Sequence, residues 1–266
     1  MCWSGEASFG LAAVGFTATA YAAYKRESPL LWTPLAYFSG MELLQAFTYS
    51  VIDQCALPSN QIATMLGYLH ICFQPFFGCM LALYFVPENV RRAAMPWAIA
   101  VAGASAAFMI LQVYPFEWAG TCRPGRSLCG PALCSVSGNW HIAWEVPLNA
   151  LGEINSSWVN GNLLLRGPLG HGFLTYMIAM FVVPLVFGSW RIVLYHLAMG
   201  PLLARLLTDN PNEVPAVWCL LSIGFLLIVV KTPVRRYMHV RSWPLWRPMG
   251  LEPSMPVQAA PAGRQS

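Results

Sequence analysis

The chain has 266 residues, 57% of them hydrophobic and only 10% charged, with a mean hydropathy of +0.52. Soluble domains carry roughly 25% charged residues, so too little charge is present to cover a soluble surface, and the composition points to an integral membrane protein. The formal net charge of +4 is too small to support a nucleic-acid partner.

A helix needs about 20 mostly apolar residues to cross a bilayer. Seven segments qualify, at residues 7–24, 30–52, 61–86, 95–114, 171–189, 191–208 and 214–231. They predict an all-α fold, a polytopic bundle of seven transmembrane helices over residues 1–246. The start, MCWSGEAS, lacks the basic region of a cleavable signal peptide. If Met1 is removed, Cys2 becomes an N-terminal thiol, a known kind of nucleophile, though no base is identified beside it; otherwise it is a disulfide half or a free thiol.

The second segment contains YFSGMELLQAFTYSVID, in which Ser39, Glu42, Ala46, Tyr49 and Asp53 recur at three- and four-residue steps on one helical face, with Gln45 beside it. The third contains QIATMLGYLHICFQPFF, in which Thr64, Gly67, His70, Gln74 and Gly78 recur in the same way. Ionisable groups within a bilayer cost about 2.5–3.5 kcal/mol on insertion scales and normally face a bundle interior. The two helices are consecutive and antiparallel, and Glu42 and His70 lie at similar depth, roughly 14–15 Å below the outer end at 1.5 Å per residue. A shared polar pocket of Glu42, Gln45, Tyr49, Asp53, His70 and Gln74 is therefore expected, with Pro75 bending the third helix around it. Interhelical bonding of the same groups is the competing expectation.

The connection from Tyr114 to Gly170 is too long for a bare linker. Its NWHIAWEVPLNAL predicts a short helix near residues 139–151 that places His141 and Glu145 on one face. With His171 these residues complete a candidate metal centre. His70, His141 and His171 would ligate zinc or iron, and Glu42 and Glu145 would serve as ligand or general base. GSWR divides the apolar run from His171 to Thr208 into two helices. An N-terminus outside then puts Lys25, Arg26, Arg91, Arg92, Arg191, Lys231, Arg235 and Arg236 on the cytoplasmic side. Arg123, Arg126, Arg166 and Arg205 depart from this bias. The Pro/Ala-rich residues 247–266 predict a disordered cytoplasmic tail. Among the outer cysteines, Cys55, Cys122, Cys129 and Cys134 are disulfide candidates in an oxidising compartment, with pairing open.

The MCWS start, MELLQAFTY followed by DQC, and HICFQPF resemble an uncharacterised family of polytopic membrane proteins found in bacteria and large DNA viruses. That resemblance implies a multi-pass protein of the bacterial inner membrane or an equivalent membrane. The chain is also similar to alkaline-ceramidase-like seven-helix membrane hydrolases, but it lacks their late His-x-x-x-His pair. Three functions are consistent with these residues. They are a metal-dependent hydrolase of a lipid or other amphiphile, a small-molecule or proton-coupled ion transporter, and a structural membrane protein.

Overall fold

The computed structural model describes residues 3–151 and 173–251. The architecture is mostly helical. The helices are α1 (Gly5–Tyr24), α2 (Pro29–Tyr49), α3 (Pro58–Tyr84), α4 (Glu88–Leu111), α5 (Leu174–Val186), α6 (Trp190–Leu197, continuing through Ala198–Leu202 into Leu203–Leu207), α7 (Val214–Lys231) and a short α8 (Val234–Met238). The first seven fall on the seven apolar segments. Among the described residues, α3 and α4 are long and apolar enough to cross a membrane by length and composition.

Capping and proline set the helix starts. The Ser4 hydroxyl accepts from the Ala7 N–H at α1, and the Ser28 hydroxyl accepts from the Leu30 N–H at α2, where Pro29 takes the first turn. Two prolines mark the breaks further on. The π turn Ile178–Val182 is separated from Pro184 only by Val183, and the π turn Ala198–Leu202 contains Pro201. A proline ring cannot follow a regular turn without clashing with the carbonyl four residues back, and one extra residue in the turn relieves that clash. Pro75, by contrast, sits inside an uninterrupted α3.

The buried face of α1 is Ser8, Ala12, Gly15, Ala18 and Ala22, all small. Small residues let helix backbones approach closely, and α2 uses this. A Cβ at Gly15 would lie 2.2 Å from the Ser39 hydroxyl, and one at Gly5 would lie 3.0 Å from the Tyr49 Cβ. The polar stripe of α2 therefore packs on α1.

The segment expected as a helix near 139–151 is instead a β-hairpin. Strands β1 (Cys134–Ser137) and β2 (Ile142–Glu145) pair antiparallel, with Ser137 opposite Ile142 and Cys134 opposite Glu145. Its free edge is covered by Asn60 and Asp53. The Asn60 amide donates to the Ser135 carbonyl at 2.9 Å and accepts from the Ser135 N–H at 3.0 Å, as a neighbouring strand would. A disulfide from Cys55 to Cys134 fastens the hairpin to the α2–α3 turn, and a second joins Cys122 to Cys129. The four disulfide candidates thus form two bridges. The opposing Pro147 and these tertiary ties outweigh the local helical pattern.

The two ends of the bundle differ in charge. One end carries the hairpin, the α2–α3 turn and the α6–α7 turn. The other gathers Lys25, Arg26, Arg91, Arg92, Arg191 and Arg235, with Arg235 forming a two-pronged bond to Glu27 at 2.9 and 2.6 Å. That guanidinium holds the Glu27 carboxyl below its usual range. Residues expected to open a disordered tail at 247 are folded as far as Leu251, whose carbonyl accepts from Asn89 and whose N–H bonds the Trp246 carbonyl. Trp246 is buried and donates its indole N–H to the Phe187 carbonyl, which draws this stretch onto the bundle. Residues 252–266 lie outside the described residues.

Candidate functional site

Glu42 and Gln45 stand one turn apart on α2, and both are completely buried. Neither carboxyl oxygen of Glu42 and neither amide atom of Gln45 has a hydrogen-bond partner. The Ser8 hydroxyl of α1 faces Glu42 without reaching hydrogen-bond geometry, and it accepts the Trp3 indole N–H at 2.8 Å. Trp3 stacks on Trp140 with ring centroids 6.0 Å apart, and it lies against the His141 ring. Tyr49, one turn above Gln45, bonds His141 Nδ1 at 2.8 Å, and Glu42 lies close enough to act electrostatically on its phenol. Ser8, Glu42, Tyr49 and His141 therefore form one connected cluster at the hairpin end, roofed by Trp3 and Trp140, with Gln45 buried within a turn of both Glu42 and Tyr49 on α2.

His141 is set by its own backbone. The Ile142 N–H donates to Nδ1, so Nδ1 is an acceptor and the proton of the neutral ring sits on Nε2. Burial holds this imidazole down to about 3, so it stays uncharged at neutral pH. Its Nε2 is buried and has no partner. Glu213, ahead of α7, locks the turn that carries it. The Glu213 carboxylate accepts the backbone N–H groups of Asn139, Trp140 and His141 and the Thr208 hydroxyl. The cluster thus offers a carboxyl, a primary amide and an imidazole N–H, all open.

Other predicted residues go elsewhere. His70 and Glu42 are not brought together. The His70 ring stacks on Tyr37 with centroids 3.8 Å apart, and its carbonyl accepts the Tyr37 hydroxyl at 2.6 Å. Tyr37 and Glu42 are five residues apart, about 140° around a helix of 3.6 residues per turn, so the residue that holds the His70 ring and Glu42 lie on different faces of α2, while Glu42 acts electrostatically on Cys219, the partner of Gln74. Gln74 is satisfied: it accepts the Tyr176 hydroxyl at 2.7 Å and donates to the Cys219 sulfur at 2.8 Å. Asp53, exposed on the α2–α3 turn, accepts from the Ser137 N–H and hydroxyl at 2.7 and 2.6 Å. Thr64 meets the Ser135 hydroxyl and Gly67 lies under Trp144, so the α3 stripe serves the hairpin and α5 to α7.

Among the described residues, the metal centre expected from the sequence is not assembled. His141 and Glu145 are four apart on an extended strand, about 13 Å at 3.3 Å per residue, too far to share an ion. His171 lies outside the described residues, as does Cys2. Among the described residues no group of three or more His, Cys, Asp or Glu side chains is placed to hold a metal ion. Glu145 is half-buried, with its stem over Gly130.

Sequence reasoning missed Ser8, Trp3, Trp140 and Glu213. The four- and three-residue spacing of small residues in α1 was the available signal for Ser8. Glu213 carried none, because its role depends on a hairpin 70 residues away.

A groove of about 750 Å³ opens beside the cluster between the start of α1 and the end of α2. It is lined by Trp3, Gly5, Phe9, Leu43, Phe47 and Tyr49, among others. Trp3 and Tyr49 belong to both groove and cluster.

The model of a family of unknown function, DUF5765, matches residues 6–239, and the chain belongs to that family. No curated protein and no solved structure matches it.

Proposed function

We propose that this member of the DUF5765 family is a multi-pass integral membrane protein that binds a small polar solute at the Glu42–Gln45 cluster. In this reading α1 to α7 span the bilayer, the hairpin end faces outward and the arginine-rich end faces the cytoplasm. The separation of charge between the two ends supports that orientation. Large apolar side chains exposed along the helices, Phe9, Val14, Ile62 and Val182 among them, support a lipid environment.

The observation that carries the binding reading is the set of four unpartnered polar atoms on Glu42 and Gln45. Polar groups that fasten helices are bonded to one another, as Gln74, Tyr176 and Cys219 are. A carboxyl and an amide buried without partners are the exception that calls for a ligand or ordered water. The cluster supplies donors from Gln45 and His141 and acceptors from Glu42 and Gln45. It suits a small neutral solute bearing both donors and acceptors, such as a polyol, amide or amino alcohol. The neighbouring groove gives the approach, with Trp3 and Tyr49 at the passage. Among the described residues no set of side chains is placed to support metal hydrolysis.

Purified protein screened by thermal shift against small polyols, amides and amino alcohols tests this reading. At least one class is expected to raise the melting temperature of the wild-type protein and to leave Glu42→Leu unmoved. A shift that persists in Glu42→Leu and in Gln45→Leu refutes the site, as does a panel with no response.

A further inference from the structure

Arg126 and Arg205 lie at the hairpin end, against the charge bias of the bundle; Arg205 lines one cavity, and Arg126 stands over the ring of Phe173, one of its walls. This cavity, of about 50 Å³, sits between α3, α5, α6 and α7 beneath the loop at Ser127 and Leu128. Its walls are apolar and aromatic: Ile71, Leu128, Phe173, Met177 and Trp218. The polar groups on its floor are already used, since Tyr176 and Gln74 bond each other and Gln74 bonds Cys219. Two polar groups on the lining remain open. The half-buried guanidinium of Arg205 and the Ser127 hydroxyl form no hydrogen bond with any described residue. Asp209 is an electrostatic neighbour of Arg205. The Arg126 guanidinium adds a second positive charge at the wall, 4.6 Å from the Phe173 ring centroid and bonded to Gln112 at 2.7 Å.

We propose that this cavity is a second binding site, separate from the Glu42 cluster, for a small monocarboxylate with a short apolar chain. The carboxylate takes the Arg205 guanidinium and the Ser127 hydroxyl, and the chain lies against Phe173, Met177 and Trp218. A guanidinium matches the planar carboxylate with paired N–H donors. At about 10–15 Å³ per water-sized group, the cavity holds about four such groups, which is the size of butyrate and excludes a long acyl chain. An apolar floor with its own hydrogen bonds closed disfavours a bare, fully hydrated anion. The site also accounts for placing arginine where the charge bias disfavours it.

Equilibrium dialysis of the purified full chain with radiolabelled butyrate tests the assignment. Saturable binding is expected. Arg205→Gln should weaken it at least tenfold, with partial recovery in Arg205→Lys. Met177→Phe, which fills the cavity and keeps both polar groups, should abolish it without lowering the melting temperature. Glu42→Gln should leave it unchanged. Inorganic phosphate and decanoate should compete poorly. Absence of saturable binding overturns the proposal, and so does equal competition by phosphate, which would mark a plain anion site. Stronger competition by decanoate would mark a lipid-chain site and overturn it too. Loss of butyrate binding in Glu42→Gln would move the ligand to the other cluster, again against the assignment. Failure of polar-solute binding at Glu42 bears on none of these outcomes.

Discussion

Replacing Glu42 and Gln45 together by leucine separates a binding cluster from interhelical fastening. Each buried polar group left without a partner costs about 1–3 kcal/mol, so removing both relieves about 2–6 kcal/mol in the unliganded protein. Leucine is close in volume to either side chain, and such swaps in a packed interior cost less than about 1.5 kcal/mol. The net expectation is a gain of about 2–4 kcal/mol. For a chain of this length, 1 kcal/mol moves the melting temperature by roughly 2–4 °C, giving a rise of roughly 5–15 °C. Thermal unfolding in detergent, followed by intrinsic tryptophan fluorescence with no solute added, reads this directly. A fall of several degrees would mean that Glu42 and Gln45 are bonded in the native bundle. The cluster would then be structural, and the proposed solute site would be lost. Gln74→Leu is the internal control. It strands the Tyr176 hydroxyl and should lower the melting temperature.

The two disulfides differ in the chain they constrain. Cys55–Cys134 spans a sequence separation of 79 and Cys122–Cys129 one of 7; the loop-entropy relation assigns them about 4.5 and about 2.4 kcal/mol. Cys55→Ser/Cys134→Ser should therefore lower the melting temperature about twice as much as Cys122→Ser/Cys129→Ser, and equal losses would contradict the hairpin anchor. The His141 imidazole is held neutral down to about 3 by burial, against 6.5 in an unfolded chain. Between these values the unfolded state binds the extra proton. Stability is then fully present above about pH 6.5 and declines as the pH falls toward 3. Glu213 faces the His141 backbone and Tyr49 its ring, and both stay in place in His141→Gln. That variant should show a flatter melting-temperature profile between pH 7 and 4, and an unchanged slope would remove His141 from the buried cluster.

Hydropathy averaged over about 20 residues is a local property, and for that reason the positions of α1 to α7 were legible in the sequence, though α4 begins at Glu88, ahead of the expected residue 95. The four disulfide cysteines were legible for a similar reason, since the loop and turn that hold them lie between apolar segments. The polar stripes of α2 and α3 were legible as stripes. Their partners were not. Helical periodicity says which residues share a face, but which neighbour that face meets depends on rotation about each helix axis, and here the small residues of α1 decided it by admitting α2 closely. Glu42 consequently meets Ser8, while His70 lies under Tyr37. The hairpin was hidden because a strand and a helix both place residues four apart on one side. Only the tie to Asn60, the bond to Cys55 and the clasp of Glu213 choose the extended form, and those contacts come from elements far away in the chain.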